Sequence, residues 1–239
     1  MRPDLVYGRR PVREAVRGPR ELQELWASER ALRAEPWLRE APGLRVQVKP
    51  ERELSQAAGT QDHQGVLAYV EPYRYADAYD LAGAESALLV CLDSVTDPHN
   101  LGAVIRTVEA AGATGVVVPA HNAAHVTPAV ARASAGAVEH VAFAVVKNLA
   151  RYLEEVKSPT LWAWAATADA ETVMWDADLS GSVALVLGAE GKGLRPLVRR
   201  MCDDALRIPL DGHVESLNVS VAAAVLVYEA KRQRARVHA

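Results

Sequence analysis

The chain has 239 residues, half of them apolar, with 27 lysines and arginines against 30 acidic residues, a net charge of −3 and two cysteines. That length holds one large domain or two modest ones, and that apolar share fills a real core, which excludes a disordered chain. Two cysteines argue against a disulfide framework and against a zinc site, and the lack of a signal-peptide core or a bilayer-length apolar run points to a cytoplasmic enzyme. The mean charge does not announce a nucleic-acid binder, but the charge is unevenly spread. Residues 1–20 hold six arginines against two acids, and Lys231, Arg232, Arg234 and Arg236 crowd the other end.

Residues 4–70 read as a small α/β unit. Pro11 sits near a helix start, Val12, Ala15 and Val16 form its apolar stripe, and Gly18-Pro19 stops it. Strands are expected over 22–27, 44–48 and 66–70, with a helix over 29–40. Residues 71–86, EPYRYADAYDLAGAES, have no clean period and carry the turn-forming residues of a boundary. The expected division is therefore 1–72, a linker at 73–86, and a second domain over 87–239. In that domain strands are expected at 87–92, 115–118, 160–165, 183–187 and 205–208. Helices are expected at 100–111, 128–135, 148–156 and 196–201, with a last one starting at Ser216. This alternation makes the fold class α/β, a parallel sheet with helices on both faces.

Three junctions in that domain follow or end a β-branched run: DSVTDPHNLGAVIRTVEAAG from Asp93, LVLGAEGKGL from Leu185, and DGHVESLNVSVAAAVLVYE from Asp211. Each runs from a strand through a polar or glycine-rich turn toward a helix, the layout of α/β ligand sites, so one shared pocket is expected. The glycines from Gly188 to Gly193 match neither the dinucleotide fingerprint nor the phosphate loop. They suit close backbone approach to a ligand, with Glu190 and Lys192 presented from the turn; the alternative is a plain tight turn. Ser216 and Asn218 open a helix that is apolar on every face from Val219 to Tyr228, which reads as buried. Arg106 lies in an otherwise apolar run, so a partner or an anionic ligand is expected, the bland alternative being an i, i+3 ion pair with Glu109. His121 and His125 lack a third ligand, so no metal is expected. Neither Ser134 nor Ser216 has the surroundings of a hydrolase nucleophile.

Asn100-Leu101-Gly102 with Arg106, then Gly188-Ala189-Glu190-Gly191-Lys192-Gly193, then Ile208-Pro209 and Ser216-Leu217-Asn218-Val219-Ser220 together resemble the three motifs of the SpoU/TrmH-type RNA 2′-O-ribose methyltransferases. Ala133–Glu139, Val146-Lys147-Asn148-Leu149, Tyr7-Gly8 and His63-Gln64-Gly65-Val66 are most similar to the branch that modifies a guanosine of 23S ribosomal RNA. The resemblance covers nearly the whole chain. It implies a small RNA-binding domain followed by a catalytic domain with a deep trefoil knot of the SPOUT type, paired as a homodimer through the knot region. Threaded connections are otherwise almost absent from proteins, so the residues alone suggest an ordinary doubly wound sheet.

The resemblance further implies S-adenosylmethionine as methyl donor, held around Gly188, Ile208 and Leu217. Asn100, Arg106, Glu190, Ser216 and Asn218 occupy the catalytic and substrate positions, and RNA is the partner, with no membrane and no metal. Arg106 is expected to anchor a phosphate and stabilise the developing 2′-oxyanion as a cation, with deprotonation as the alternative role. Asn100 and Glu190 are expected to orient Arg106 or the ribose, and Ser216 and Asn218 to position the nucleotide. Arg9, Arg10, Arg13 and Arg17 are the expected phosphate contacts. Competing readings are the same chemistry on transfer RNA or another ribosomal nucleotide, a noncatalytic RNA-binding protein, a base methyltransferase of the same superfamily, and a nicotinamide oxidoreductase. The last lacks its fingerprint.

Overall fold

The computed structural model describes residues 3–40 and 45–237. The expected start of a strand at Leu44 lies outside them. In chain order the elements are β1 Asp4–Tyr7, α1 Arg9–Arg17, β2 Leu22–Ala27, α2 Glu29–Ala34, α3 Trp37–Glu40, β3 Val46–Val48, α4 Glu51–Ala58, β4 Val66–Val70, α5 Ala78–Ala82, β5 Leu88–Asp93, α6 Pro98–Ala111, β6 Gly115–Pro119 and α7 Pro128–Ala133. A 3₁₀ turn at Ala137–Glu139 follows, then β7 Phe143–Val146, α8 Leu149–Val156, β8 Leu161–Ala166, β9 Thr172–Val173, β10 Ser182–Gly188, α9 Pro196–Met201, β11 Asp204–Arg207 and α10 Val219–Val237. Two compact units form. One takes the chain up to Arg74 together with Val126–His140, and the other takes Tyr75–His125 and the chain from Val141 onward.

The first unit is built on a mixed sheet in the order β1-β4-β2-β3, with β4 antiparallel to both neighbours and β2 parallel to β3. The helix expected over 29–40 is two helices. Pro36 drives Glu35 out of the helical region to φ −123°, ψ 91°, which ends α2, and the chain restarts at Trp37. Gly8 occupies the N-cap of α1 without a side chain to cap with, and Gln64 supplies one from β4's entry turn, accepting from the Arg9 N–H at 3.0 Å. Val126–His140, which lies in sequence between two strands of the other unit, is held here by a buried ion pair. Arg20 Nε donates to Glu139 Oε2 at 2.9 Å, and a second guanidinium nitrogen meets Glu139 Oε1, both side chains being almost fully buried. His140 with Glu14 at 3.0 Å and Arg132 with Asp62 at 2.8 Å add partners nearer the surface.

The second unit is a seven-stranded sheet in the order β7-β6-β5-β10-β8-β11-β9, every pair parallel. β5, β6 and β10 are β-branched and leucine-rich and almost entirely buried, as a parallel sheet covered on both faces requires. The stretch expected as a linker carries local order: Ala76 bridges Ala144 beside β7, and Asp77 caps α5 by accepting from Tyr79 N at 2.8 Å.

α10 differs from expectation in two respects. It begins at Val219 and not at Ser216, and it is not buried all round. Ala223, Leu226, Val227 and Ala230 are buried, and the helix packs on α6, β10 and β5, but Val221 and Tyr228 stand 48% and 50% exposed. Its far end is pinned by Arg234, which donates to the carbonyls of Ser86, Ala87 and Gly181 at 2.8, 2.9 and 2.6 Å. Lys231 donates to the Ala111 carbonyl and Arg232 pairs with Glu229, so three of the four clustered cations have internal partners. Among the described residues no helix is long and apolar enough to cross a membrane.

Candidate active site

Parallel strands bring their carboxyl ends to one rim, and the three sequence junctions meet there. After β5, Asp97 caps α6 by accepting from His99 N at 3.0 Å, with Pro98 in the first helical position, and this places Asn100 in the helix's opening turn. After β10 the chain makes the glycine loop. After β11 it returns through Ile208 to Asn218 and enters α10.

The glycine loop folds back on its own base. Ala189 and Gly193 form an antiparallel bridge with Gly193 N donating to Ala189 O at 2.8 Å, and Gly191 and Gly193 have φ of 74° and 63°. A Cβ on Gly188 would lie 2.1 Å from the Gly193 carbonyl carbon, so no side chain fits there. Asp93 then ties the end of the loop to the end of β5. Its carboxylate is fully buried and accepts from Arg195 N at 2.8 Å and Arg195 Nε at 2.7 Å. Sequence reasoning gave Asp93 no role, although a lone acid closing an apolar strand was the available signal.

Asn218 joins all three junctions. Its Oδ1 accepts from Ser220 N at 2.9 Å and from the Ser220 hydroxyl at 2.6 Å, which makes it the N-cap of α10. That fixes which way the amide points, so Nδ2 faces away from the helix and donates to Asn100 Oδ1 at 2.9 Å and Glu190 Oε2 at 3.3 Å. Ser216, where the helix was expected to start, is exposed on the loop before it.

A cavity of about 520 Å³ opens at the same rim. Gly188, Ile208 and Leu217, the three expected donor contacts, line it together with Glu190, Lys192 and Ser216. Its volume falls in the usual range of small-molecule sites, and its wall mixes apolar side chains with glycine backbone that a ligand can approach closely. The residues present therefore fit a compact nucleoside-type donor. Thr167, Asp169 and Arg199 also line it and were not foreseen. Their convergence depends on the lateral order of β10, β8 and β11, which no local pattern encodes.

Arg106 makes none of the hydrogen bonds of this cluster. Six residues beyond Asn100 on α6, it lies about 9 Å further along the axis and roughly 120° around it. It is exposed, and among the described residues it makes no hydrogen bond or ion pair, with Glu109 or any other group. The expected cost of leaving it unpaired is absent because α6 turns it to solvent.

In the first unit Arg10, Arg13 and Arg17 share one exposed face of α1, whereas Arg9 is tied down by the Gln64 carbonyl at 3.2 Å and Glu35 at 3.2 Å. His125 Nε2 sits 3.1 Å from the Pro119 carbonyl, and among the described residues no three His, Cys, Asp or Glu side chains are grouped to hold a metal. Burial pushes the Cys91 thiol far up and the Cys202 thiol up to about 12, so neither is a nucleophile near neutrality.

The glycine loop, the 208–217 return and the start of α10 wall one cavity at the strand ends of a parallel α/β domain, with Asn100 of α6 tied to its edge through Asn218 and Glu190, the arrangement of a small-molecule-dependent α/β enzyme. The chain belongs to the SpoU rRNA methylase family, whose model matches residues 87–228, while a model for RNA 2′-O ribose methyltransferase substrate binding matches residues 5–76. It is accordingly an S-adenosylmethionine-dependent RNA 2′-O-methyltransferase.

The chain is 43% identical to the 23S rRNA (guanosine-2′-O-)-methyltransferase RlmB of Ralstonia nicotianae, over 92% of this chain and 91% of that one. It is 40% identical to the RlmB of Pseudomonas putida over 96% of each. The crystal structure of the SpoU methyltransferase AviRb from Streptomyces viridochromogenes in complex with AdoMet is similar at a TM-score of 0.83 and 27% identity, covering 97% of this chain and 90% of that one.

Proposed function

We propose that this protein methylates the ribose 2′-hydroxyl of a guanosine in 23S ribosomal RNA, in the cytoplasm and as a homodimer. The observation that carries the reading is the meeting of Asn100, Glu190 and Asn218 beside the cavity that Gly188, Ile208 and Leu217 line. The relatives named for that reaction support the choice of target. When bound, S-adenosylmethionine supplies an electrophilic methyl on a sulfonium centre. The chain's own share is positioning and electrostatics.

In this reading the glycine loop and the 208–217 return hold the donor through backbone groups. The Asn100–Asn218–Glu190 network presents one carboxylate and one amide edge to the ribose, and Ser216 contacts the nucleotide from the cavity wall. Arg106 acts as a cation on the adjacent phosphate and on the developing 2′-oxyanion. Arg106 has no hydrogen bond or ion pair to the cluster in its own chain, and in this reading a second copy supplies it. The apolar surface left open at Val221 and Tyr228 of α10, against which α6 packs, supports pairing over that face.

The trefoil knot belongs to the same proposal and is supported by the return of α10 onto β10, β5 and α6. Arg10, Arg13 and Arg17 take RNA phosphates with salt-dependent affinity.

Mapping ribose methylation across total ribosomal and transfer RNA, in cells with and without the protein, tests the target. Loss of one mark at a 23S guanosine supports the proposal. Loss confined to transfer RNA, or no loss, overturns it.

A further inference from the structure

The cavity has a polar corner that the three family motifs do not reach. Thr167 and Asp169 follow the carboxyl end of β8, and Arg199 projects from α9; all three line the cavity. Arg199 and Asp169 pair at 2.8 Å, yet their side chains remain 43% and 66% exposed, so the pair faces open space and is not sealed into the protein. The Asp169 carboxyl is held below the ordinary carboxylate range, first by the Arg199 guanidinium and then by the Thr167 hydroxyl. Thr167 Oγ1, beside Asp169 and shielded from solvent, has no hydrogen-bond partner that meets ordinary geometry. A buried hydroxyl without a partner costs free energy unless something at the site completes it.

Other parts of the cavity lining have a different chemistry. Leu206, Ile208, Leu210 and Leu217 supply apolar surface suited to a flat heterocycle. The lateral order places β8 on the far side of β10 from β5, two strand spacings of about 4.8 Å each from the end of the strand that leads to Asn100. This corner therefore lies across the glycine loop's strand from the end of β5. A cation and an anion side by side, with a hydroxyl beside them, are complementary to a zwitterion: carboxylate to guanidinium, ammonium to carboxylate. A neutral ribose edge would leave the guanidinium unused.

We propose that Thr167, Asp169 and Arg199 form the subsite for the zwitterionic amino-acid end of the methyl donor, with Arg199 taking its carboxylate, Asp169 its ammonium and Thr167 donating its hydroxyl hydrogen to the bound carboxylate. This rests on the reading of the cavity as the donor site.

The test is calorimetric and needs no RNA and no turnover. S-adenosylhomocysteine carries the amino-acid end and 5′-methylthioadenosine lacks it, so each is titrated into the wild-type protein and into Arg199→Met, Asp169→Asn, Thr167→Val and Thr167→Ser. Loss of one charge-assisted contact is expected to weaken S-adenosylhomocysteine roughly ten- to a hundred-fold in the first two variants, and 5′-methylthioadenosine less than about threefold. Thr167→Val is expected to weaken only the former and Thr167→Ser to restore it, which separates a lost hydroxyl from a damaged fold. Equal losses for both ligands would move the corner to the nucleoside end, and unchanged affinities would reduce it to a surface ion pair; either overturns the proposal. If the wild-type protein bound neither ligand, the donor-site reading itself would fail and take the subsite with it.

Discussion

The side chains of Asn218 and Asn100, 118 positions apart in sequence, share a hydrogen bond of 2.9 Å in which Asn218 donates and Asn100 accepts. The same Asn218 amide caps α10 with its oxygen and reaches Glu190 with its nitrogen, so one residue sets a helix start and the candidate-site network together. Asn218→Asp separates the two jobs. The carboxylate still accepts from Ser220 N, so the cap survives and the melting temperature should stay within a few degrees. The donor hydrogens are gone, and a negative charge now faces Glu190, so methyl transfer to RNA should fall at least a hundredfold. A variant that keeps turnover in a methyl-incorporation assay would remove the network from the mechanism.

The glycine loop makes a steric prediction. A methyl at Gly188→Ala must displace the Gly193 peptide, and overpacking of this kind costs about 1–3 kcal/mol. At roughly 2–4 °C per kcal/mol for a chain of this size, the melting point should drop by several degrees, and affinity for S-adenosylhomocysteine should fall more than tenfold as the cavity wall shifts. Gly191→Ala meets no atom within 4 Å and bears only the strain of its positive φ, about 1–2 kcal/mol. It should bind the same ligand within a few-fold of wild type. Equal binding defects in the two variants would show that backbone strain, and not the contact under Gly188, shapes the wall.

Arg106 tests both the mechanism and the assembly. Arg106→Lys keeps a positive charge but loses the planar fork, so turnover should fall by orders of magnitude with donor affinity unchanged. If a second copy supplies the guanidinium, mixing Arg106→Ala with Glu190→Gln chains, each inactive alone, should restore part of the activity, since some mixed dimers hold one intact site. No recovery, in a mixture shown by light scattering to be dimeric, would place Arg106 and Glu190 of the same chain in one site.

Much of this site was legible in the sequence because its parts lie where strands end. β5 and β10 are solid apolar runs closed by Asp93 and Gly188, and the residues that follow each run form the rim. β7 and β9, of four and two residues, were too short to stand out from their surroundings, and Pro36 broke a helix that composition alone favoured. The closing helix was read as buried because it is apolar on every face, yet Val221 and Tyr228 are open: periodicity reports what a face avoids, not what covers it. By sequence the arginines of residues 1–20 form one basic run, but Arg20 is buried against Glu139 and Arg9 is tied to Gln64 and Glu35. Pairings across that many positions are fixed by the packed structure and leave no local trace.

That buried Arg20–Glu139 pair sets a further expectation. Removing one partner of a buried pair leaves an uncompensated charge and costs about 3–5 kcal/mol, whereas replacing both with apolar residues can be neutral. Asp4, 3.2 Å from Arg20 and partly exposed, softens the loss of Glu139 but cannot replace it. Glu139→Gln should therefore lower the denaturant midpoint clearly, and Arg20→Met with Glu139→Leu should recover most of the loss. If the double variant is as unstable as the single one, the pair contributes specific geometry to the Val126–His140 segment beyond charge balance.

Cys91 and Cys202 give the chain a defined alkaline weakness. Burial raises both thiols in the folded state, so above about pH 8.5 the unfolded chain releases protons that the folded chain keeps. The associated stability is fully present below that pH and is lost as the pH rises, at up to about 1.4 kcal/mol per pH unit for each thiol. Urea midpoints measured from pH 7.5 to 10 should fall, and Cys202→Ala, though less stable throughout from lost packing, should fall less steeply over the same range. Parallel slopes for the two proteins would show that the Cys202 thiol titrates at its ordinary value in the folded chain and is not shielded there.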